Sequence, residues 1–123
     1  MVGSSIKRLL EINGYKNLIY KNRKDLDLIN QRDVIDFFKF SQPEYVFLCA
    51  AKVGGILANN SQRADFIFQN IQIQNNIIHN AYLSKVKKLI FLGSSCIYPK
   101  DSKLPIKEKE LLRGILEKTN EPY

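Results

Sequence analysis

The sequence is poor in the residues from which disulfide frameworks and metal sites are built. Its 123 residues include two cysteines and one histidine, too few for paired disulfides or for the usual zinc-binding spacings. Cys49 lies inside an apolar run and is predicted to be a small buried residue. Cys96 follows a predicted strand and is a candidate reactive thiol. We therefore expect no metal ion, and His79 receives no role.

Long hydrophobic runs are also missing. The apolar stretches at residues 45–51 and 89–92 are far shorter than the roughly 20 residues that a membrane-spanning helix needs. The residues after Met1 lead into a charged, amphipathic segment, without the continuous apolar core of a signal peptide. We therefore expect a cytoplasmic protein with no membrane partner.

Acidic residues are outnumbered by basic ones. The chain has 12 Asp and Glu against 19 Lys and Arg, which gives a net charge of +7 and favours anionic partners. The basic residues are dispersed and form no face interleaved with aromatic residues, so most are interpreted as solvated surface. We expect no nucleic-acid partner. A basic nucleic-acid-binding module stays open as an alternative, which a steep fall of binding with salt would support.

Helical and strand patterns alternate along the chain. The first half of the chain predicts a helix that begins near Val2 and stops at Gly14, and then a strand at residues 17–20. A helix capped by Asn30 follows, with an apolar face of Val34, Phe37 and Phe38, and leads to a strand at residues 45–50. The second half predicts a long helix from about Ser61 to Leu83, a strand at residues 89–92 and a short helix at residues 108–112. Such crossovers predict a single α/β domain over residues 1–123, with a parallel sheet covered by helices.

The most informative stretch runs from Lys88 to Pro99. Its apolar part suits a strand buried on both faces, and after Gly93 the chain opens at once into hydroxyl and thiol side chains, Ser94, Ser95 and Cys96. Functional residues of open α/β sheets gather beyond the carboxyl ends of the strands. Without further information, two serines at such a place are more often plain turn residues.

Four segments in this order resemble the GDP-L-fucose synthases: residues 50–56, residues 59–60, residues 92–99 and residues 117–123. Those enzymes are NADPH-dependent epimerase/reductases of GDP-4-keto-6-deoxy-mannose, within the extended short-chain dehydrogenase/reductase family. The resemblance covers nearly the whole chain. It implies an NAD(P)-binding Rossmann fold, NADP(H) as the cofactor and a GDP-sugar as the substrate.

The resemblance also implies roles for individual residues. Ser94 matches the serine that hydrogen-bonds the sugar ketone, Tyr123 the tyrosine that donates a proton to the ketone oxygen, and Cys96 the thiol implicated in proton transfer at the ring carbons. Such donors suit a reaction in which negative charge develops on an oxygen. The implied cofactor-binding residues are Gly3, Arg23, Leu28, Leu92, Gly93, Ser94 and Ser95, of which Arg23 would meet the 2′-phosphate of NADP.

The sequence departs from the family pattern at both ends. The first strand and two glycines of the dinucleotide turn would precede Met1, and a lysine, a histidine and the sugar-nucleotide subdomain would follow Tyr123. We therefore interpret the chain as an incomplete Rossmann fold, an internal or truncated fragment with little or no reductase activity alone. The full-length enzyme is expected to form a homodimer through the helix from Ser61 to Leu83. A noncatalytic remnant that dimerises through the same helix is the alternative.

Overall fold

The chain folds as an α/β protein, and its computed structural model describes residues 1–122. In chain order the elements are α1 (Val2–Ile12), α2 (Gln31–Ser41), β1 (Tyr45–Leu48), α3 (Ile56–Ser61), α4 (Arg63–Leu83) and β2 (Lys88–Phe91), followed by two 3-10 turns, Ser95–Ile97 and Glu108–Glu110. The predicted fold class, a parallel sheet accompanied by helices, is confirmed.

Helix α1 ends where the sequence predicts, because Gly14 adopts a backbone angle that favours glycine. Its φ is 83°, the left-handed conformation that closes many helices. The Gly14 N–H donates to the carbonyl of Glu11 at 3.0 Å, and the Tyr15 N–H donates to that of Leu10 at 3.1 Å. The predicted apolar face of α1 is narrower than expected, since Leu10 is half-buried but Leu9 is 62% exposed.

Helix α2 begins at the predicted cap. The Asn30 side chain accepts hydrogen bonds from the backbone N–H groups of Arg32 at 3.0 Å and Asp33 at 3.4 Å. These bonds satisfy donors that the first turn of a helix leaves unpaired. The same helix buries Val34 and Phe38 completely, so the predicted apolar face is the one that packs into the core.

The two strands run parallel and in register. Val46 lies opposite Leu89, and Leu48 lies opposite Phe91. The Leu92 N–H extends the pairing by donating to the Leu48 carbonyl at 3.2 Å. Because the strands are parallel and end opposite each other, both chain segments leave the sheet at the same edge.

The prediction that β2 is buried on both faces is wrong. Lys88 and Phe91 are exposed, whereas Leu89 and Ile90 are only half-buried. In the described part of the chain the sheet has two strands, and Leu89 is the β2 residue that packs against the core. Because side chains alternate along a strand, Lys88 and Phe91 lie on opposite faces, so each face of β2 carries one exposed residue and neither face is fully covered.

Three further predictions need correction. Residues 17–20 form no strand, since the sheet of residues 1–122 pairs β1 with β2 alone and a strand needs a hydrogen-bonded ladder. The long helix starts at Arg63 instead of Ser61, since a break at Gln62 separates it from α3. The helix expected at residues 108–112 is a single 3-10 turn.

The chain divides into two compact units. The first comprises Met1–Ala50 and Gln72–Leu92, and its buried cluster consists of Val34, Phe38, Leu48, Ile73, Ile77 and Ala81. The second comprises Ala51–Ile71 and the segment that begins at Gly93, and it buries Phe66 and Pro122. The expectation of a single domain stays a prediction.

Two asparagines lie on the buried face of α4, which also carries the core residues Ile73 and Ile77. Asn76 and Asn80 are 3% and 5% exposed. The Asn76 Nδ2 donates to the carbonyls of Leu28 at 2.8 Å and Ile29 at 3.1 Å, and its Oδ1 accepts from Gln72 at 3.0 Å. The amide therefore satisfies two loop carbonyls and attaches the segment before α2 to α4.

We expect Asn76→Ala to lower the free energy of unfolding by about 1–3 kcal/mol, because it leaves two carbonyls without their donor. Asn75→Ala is the matched control, since Asn75 is the neighbouring residue in the same helix and is exposed. Urea unfolding followed by circular dichroism measures both variants. Equal losses of stability in the two variants would contradict this account of Asn76.

Candidate functional site

The turn after β2 brings Ser94 and Cys96 together. The Ser94 Oγ accepts a hydrogen bond from the Cys96 backbone N–H at 3.2 Å, at the start of the 3-10 turn Ser95–Ile97. Both side chains are half-buried, whereas Gly93 and Ser95 are exposed. A hydroxyl that accepts from a backbone amide still carries its own proton. Ser94 can therefore donate a hydrogen bond to another group while its oxygen stays fixed in the turn.

Both cysteines are free thiols, in different surroundings. Cys49 directly follows β1 and is half-buried, so it is less buried than the sequence suggested. Burial raises the pKa of the Cys49 thiol, and the positive charge of the chain's N-terminus opposes this rise more weakly. Cys49 is therefore a poor source of thiolate, which suits a structural residue.

The amino end of α1 has the chemistry of a phosphate site. Among residues 1–122, no side chain caps this end, and the first turn contains no acidic residue. Uncapped amide donors and the helix dipole favour a bound anion. Gly3 lies in this turn, where an added Cβ would come within 3.5 Å of the Cys49 Cβ. The end of α1 therefore fits the pyrophosphate of a dinucleotide, and the role of Gly3 stays a prediction.

Arg23 lies in an exposed turn that the side chain of Asn22 organises. The Asn22 Oδ1 accepts from the backbone N–H groups of Lys24 at 2.8 Å and Asp25 at 3.3 Å. The guanidinium is a permanent, planar cation that can bind a phosphate through two hydrogen bonds. Leu28 is half-buried, and its carbonyl accepts the Asn76 amide. The chemistry of Arg23 fits the 2′-phosphate of NADP.

The predicted site residues divide between the two units. Gly3, Arg23, Leu28 and Leu92 belong to the first unit, whereas Gly93, Ser94, Ser95 and Cys96 belong to the second. Tyr123 lies outside the described residues. Residues 1–122 contain no group of three or more His, Cys, Asp or Glu that could hold a metal ion. Among the helices of the same residues, none is long and apolar enough to cross a membrane.

Sequence reasoning missed Asn70, which fixes the loop after β1. The Asn70 Oδ1 accepts from the backbone N–H of Lys52 at 2.7 Å, and its Nδ2 donates to the carbonyl of the same residue at 3.0 Å. These two hydrogen bonds satisfy both backbone groups of Lys52, as a neighbouring strand would, and hold the loop after β1 against α4. The Lys52 Nζ lies 5.1 Å from the centre of the Phe66 ring, a cation–π distance. The available signal was an asparagine, a poor helix former, inside a predicted helix.

The loop after β1 has no room for a side chain at Gly54. A Cβ at Gly54 would lie 2.9 Å from the Phe66 Cζ and 3.0 Å from the Ala58 Cβ, closer than carbon atoms pack. At the adjacent Gly55 a Cβ would meet no atom within 4 Å among the described residues. The loop therefore approaches α3 and α4 closely at Gly54, whereas Gly55, the N-cap residue of α3, has open space where a Cβ would lie.

We expect Gly54→Ala to lower the free energy of unfolding by about 1–3 kcal/mol, because the methyl group must displace the buried Phe66 ring or the Ala58 backbone. Gly55→Ala should cost less, about 1 kcal/mol or below, because alanine there loses only the preference for glycine at the N-cap of α3. Thermal and urea unfolding of the two variants provide the measurement. A Gly55→Ala variant as unstable as Gly54→Ala would show that backbone freedom, and not close packing, decides both positions.

Parallel strands, crossover helices and a helix amino end suited to phosphate define a nucleotide-binding α/β fold. The family model described as "NAD dependent epimerase/dehydratase family" matches residues 1–123. The chain belongs to this family.

Individual relatives agree with this assignment. The chain is 56% identical over 123 residues to GDP-L-fucose synthase of Escherichia coli, with 100% of this chain and 38% of that protein covered. It is 48% identical, with a TM-score of 0.92, to a Campylobacter jejuni GDP-D-glycero-L-gluco-heptose synthase solved in the presence of NADPH. It is 30% identical, with a TM-score of 0.86, to a Naegleria fowleri GDP-L-fucose synthetase bound to NADP. Each of these two matches covers 98% of this chain, together with 35% of the Campylobacter jejuni protein and 39% of the Naegleria fowleri protein. The chain thus spans less than half the length of these relatives.

Proposed function

We propose that this chain contributes cofactor-binding and catalytic residues to an NADPH-dependent epimerase/reductase that converts GDP-4-keto-6-deoxy-mannose to GDP-L-fucose. The observation that carries the proposal is the Ser94 turn, which holds the Ser94 hydroxyl and the Cys96 thiol two positions apart, with the Ser94 Oγ accepting the Cys96 amide. The 56% identity to a GDP-L-fucose synthase over the whole chain supports it. The cytoplasmic location stays a prediction.

The cofactor would be held by groups that this chain supplies. NADPH, when bound, supplies the hydride. The amides at the amino end of α1, around Gly3, would bind its pyrophosphate, and Arg23 would neutralise the 2′-phosphate. Leu28 would border the adenine side, and residues 92–95 would line the cofactor.

Ketone reduction needs donors directed at the oxygen on which charge develops. Ser94 would donate a hydrogen bond to that oxygen, because its hydroxyl keeps its own proton while the Oγ accepts the Cys96 amide. Tyr123 would transfer a proton to the same oxygen. A tyrosine ordinarily titrates near pH 10, so it needs a nearby cation to react near neutrality.

Epimerisation needs a proton to leave and return at a carbon beside the ketone. The hydrogen bond from Ser94 would stabilise the enolate that forms when this proton leaves. Cys96, fixed in the same turn, would act on one face of the ring as thiol or thiolate, and a second acid–base group must act on the opposite face for the carbon to invert. One turn therefore combines polarisation of the ketone with proton transfer at the ring.

The test uses the longest polypeptide that the gene encodes around this chain, with NADPH and GDP-4-keto-6-deoxy-mannose. We expect Ser94→Ala to lower kcat by about 10²–10³-fold, as for the loss of one oxyanion donor. Cys96→Ser should reduce deuterium incorporation at the ring carbons in D₂O by about 10²-fold or more, the scale of a lost acid–base group. NADPH oxidation and mass spectrometry provide the measurements.

The matched controls are Ser61→Ala and Cys49→Ser, which change a serine and a cysteine outside the proposed machinery. Both should keep the parent kcat.

The 48% identity to a GDP-heptose synthase supports a second candidate substrate class, the 4-keto intermediates of GDP-heptoses. A higher kcat/KM with a GDP-4-keto-heptose would select it. A parent polypeptide that oxidises NADPH with neither substrate would refute the proposed reaction and favour the noncatalytic remnant.

We also propose that α4 forms a homodimer contact. Residues 66–84 contain no Asp, Glu, Lys or Arg, although a quarter of the chain is charged. Ile78 and Tyr82 are nevertheless 44% and 79% exposed, and with Asn75 and His79 they line a shallow depression. An exposed helix face without charges is unusual for a solvated surface. A second copy of this chain fits the face, because a two-fold contact brings the same surface of both subunits together, and a surface without charges meets no repulsion there.

We expect Ile78→Glu to convert a dimer to a monomer, because each two-fold contact would bury two uncompensated carboxylates. Phe40→Glu is the matched control, since Phe40 is an exposed aromatic residue on α2, 81% accessible. Light scattering over a range of concentrations measures the mass. A parent that stays monomeric, or a Phe40→Glu variant that dissociates equally, would refute this contact.

A further inference from the structure

We propose that Arg63 is a positioning residue that holds residues 117–122, the segment that directly precedes Tyr123 in the sequence. This inference rests on the proposed function, in which Tyr123 donates a proton to the substrate. It concerns contacts within the second unit alone, between the start of α4 and the segment that precedes the tyrosine.

The Arg63 guanidinium contacts this segment at two points. Its Nη1 donates to the Lys118 carbonyl at 2.9 Å, and its Nη2 forms an ion pair with the Glu121 carboxylate. The planar fork of an arginine fixes two acceptors in a set relation to each other, which a lysine cannot do. Because the acceptors belong to residues three positions apart, the side chain holds the turn between them as well as its ends.

The turn has further attachments that make it a defined element. The Asn120 N–H donates to the Glu117 carbonyl at 2.8 Å. The Asn59 Nδ2 lies 3.5 Å from the Asn120 Oδ1, a weak hydrogen bond, and Asn59 itself is buried. Pro122, the residue that directly precedes Tyr123, is fully buried. Arg63 provides the strongest of these side-chain contacts, since it combines a charged hydrogen bond with an ion pair.

The Arg63 contact is better suited to positioning than to global stability. The side chains of Arg63 and Glu121 are 38% and 42% exposed, and ion pairs so accessible to water contribute little to the free energy of unfolding. A proton donor, by contrast, must reach the substrate oxygen within hydrogen-bonding distance, and a displacement of about 1 Å can cost about 10²-fold in rate. Loss of Arg63 should therefore affect the local order of residues 117–122 and the rate of proton transfer more than the melting temperature.

Trypsin tests the contact directly, because the bond after Lys118 carries the carbonyl that Arg63 binds. We expect Arg63→Ala to release the peptide of residues 119–123 about tenfold faster, since local opening no longer breaks a charged hydrogen bond and an ion pair. Arg63→Lys can keep one contact and should give an intermediate rate. Mass spectrometry of the released peptide provides the measurement on the 123-residue chain.

Arg32→Ala is the matched control, because Arg32 forms an exposed ion pair with Asp36 at 3.2 Å on another helix. It should leave cleavage after Lys118 unchanged. Glu121→Gln removes the carboxylate charge and keeps the bond to the Lys118 carbonyl, so it gives a smaller acceleration and serves if Arg63→Ala fails to fold. Unchanged cleavage in the Arg63 and Glu121 variants, or equal acceleration by Arg32→Ala, would overturn the proposal.

Turnover separates this inference from the proposed function. In the polypeptide used to test that function, Arg63→Ala should lower kcat by about 10–100-fold with an unchanged Kd for NADPH, and Arg63→Lys should recover part of the loss. An unchanged kcat would overturn the positioning role and leave the proposed function standing. A parent without turnover would refute the function, and with it the role of Arg63 in proton transfer, while the cleavage rates would still decide whether Arg63 holds the segment.

Discussion

The parallel register of β1 and β2 is the constraint on which the arrangement of the described residues depends. Each strand has four residues, and Leu48 lies opposite Phe91 at the end of both. Parallel strands cannot be joined by a tight turn, so the chain must return through a long connection, which here includes α4. A shift of one residue would exchange the inward and outward faces of a strand. The register therefore decides where the chain segments toward Ala51 and Gly93 leave the sheet.

Asparagine side chains on α4 hydrogen-bond backbone groups of loops that no described strand pairs with. Asn70 bonds both backbone groups of Lys52, and Asn76 bonds the carbonyls before α2. Buried backbone groups without a ladder need such partners, because water cannot reach them. The same helix carries these amides, the core residues and an uncharged outer face, so α4 connects the loops, the core and the proposed partner subunit.

Local patterns were sufficient where a residue acts on its own backbone. Asn30 caps α2 and Gly14 closes α1 as predicted, since a capping side chain or a positive φ is a property of one position and its near neighbours. The prediction for residues 17–20 is wrong, because a strand exists only beside another strand. The burial of Phe91 was overestimated for a related reason: an apolar residue is buried only where another element covers it.

By itself, the sequence determined the local stops and caps, the alternation of helices and strands, and the chemistry available at Ser94 and Cys96, all of which depend on residues close together in the chain. Tertiary structure alone decided which face of α4 is buried, which loop carbonyls Asn76 binds and that Arg63 meets Glu121, 58 positions away. The physical reason is that a side chain of several rotamers acquires one partner only when the fold brings that partner within reach.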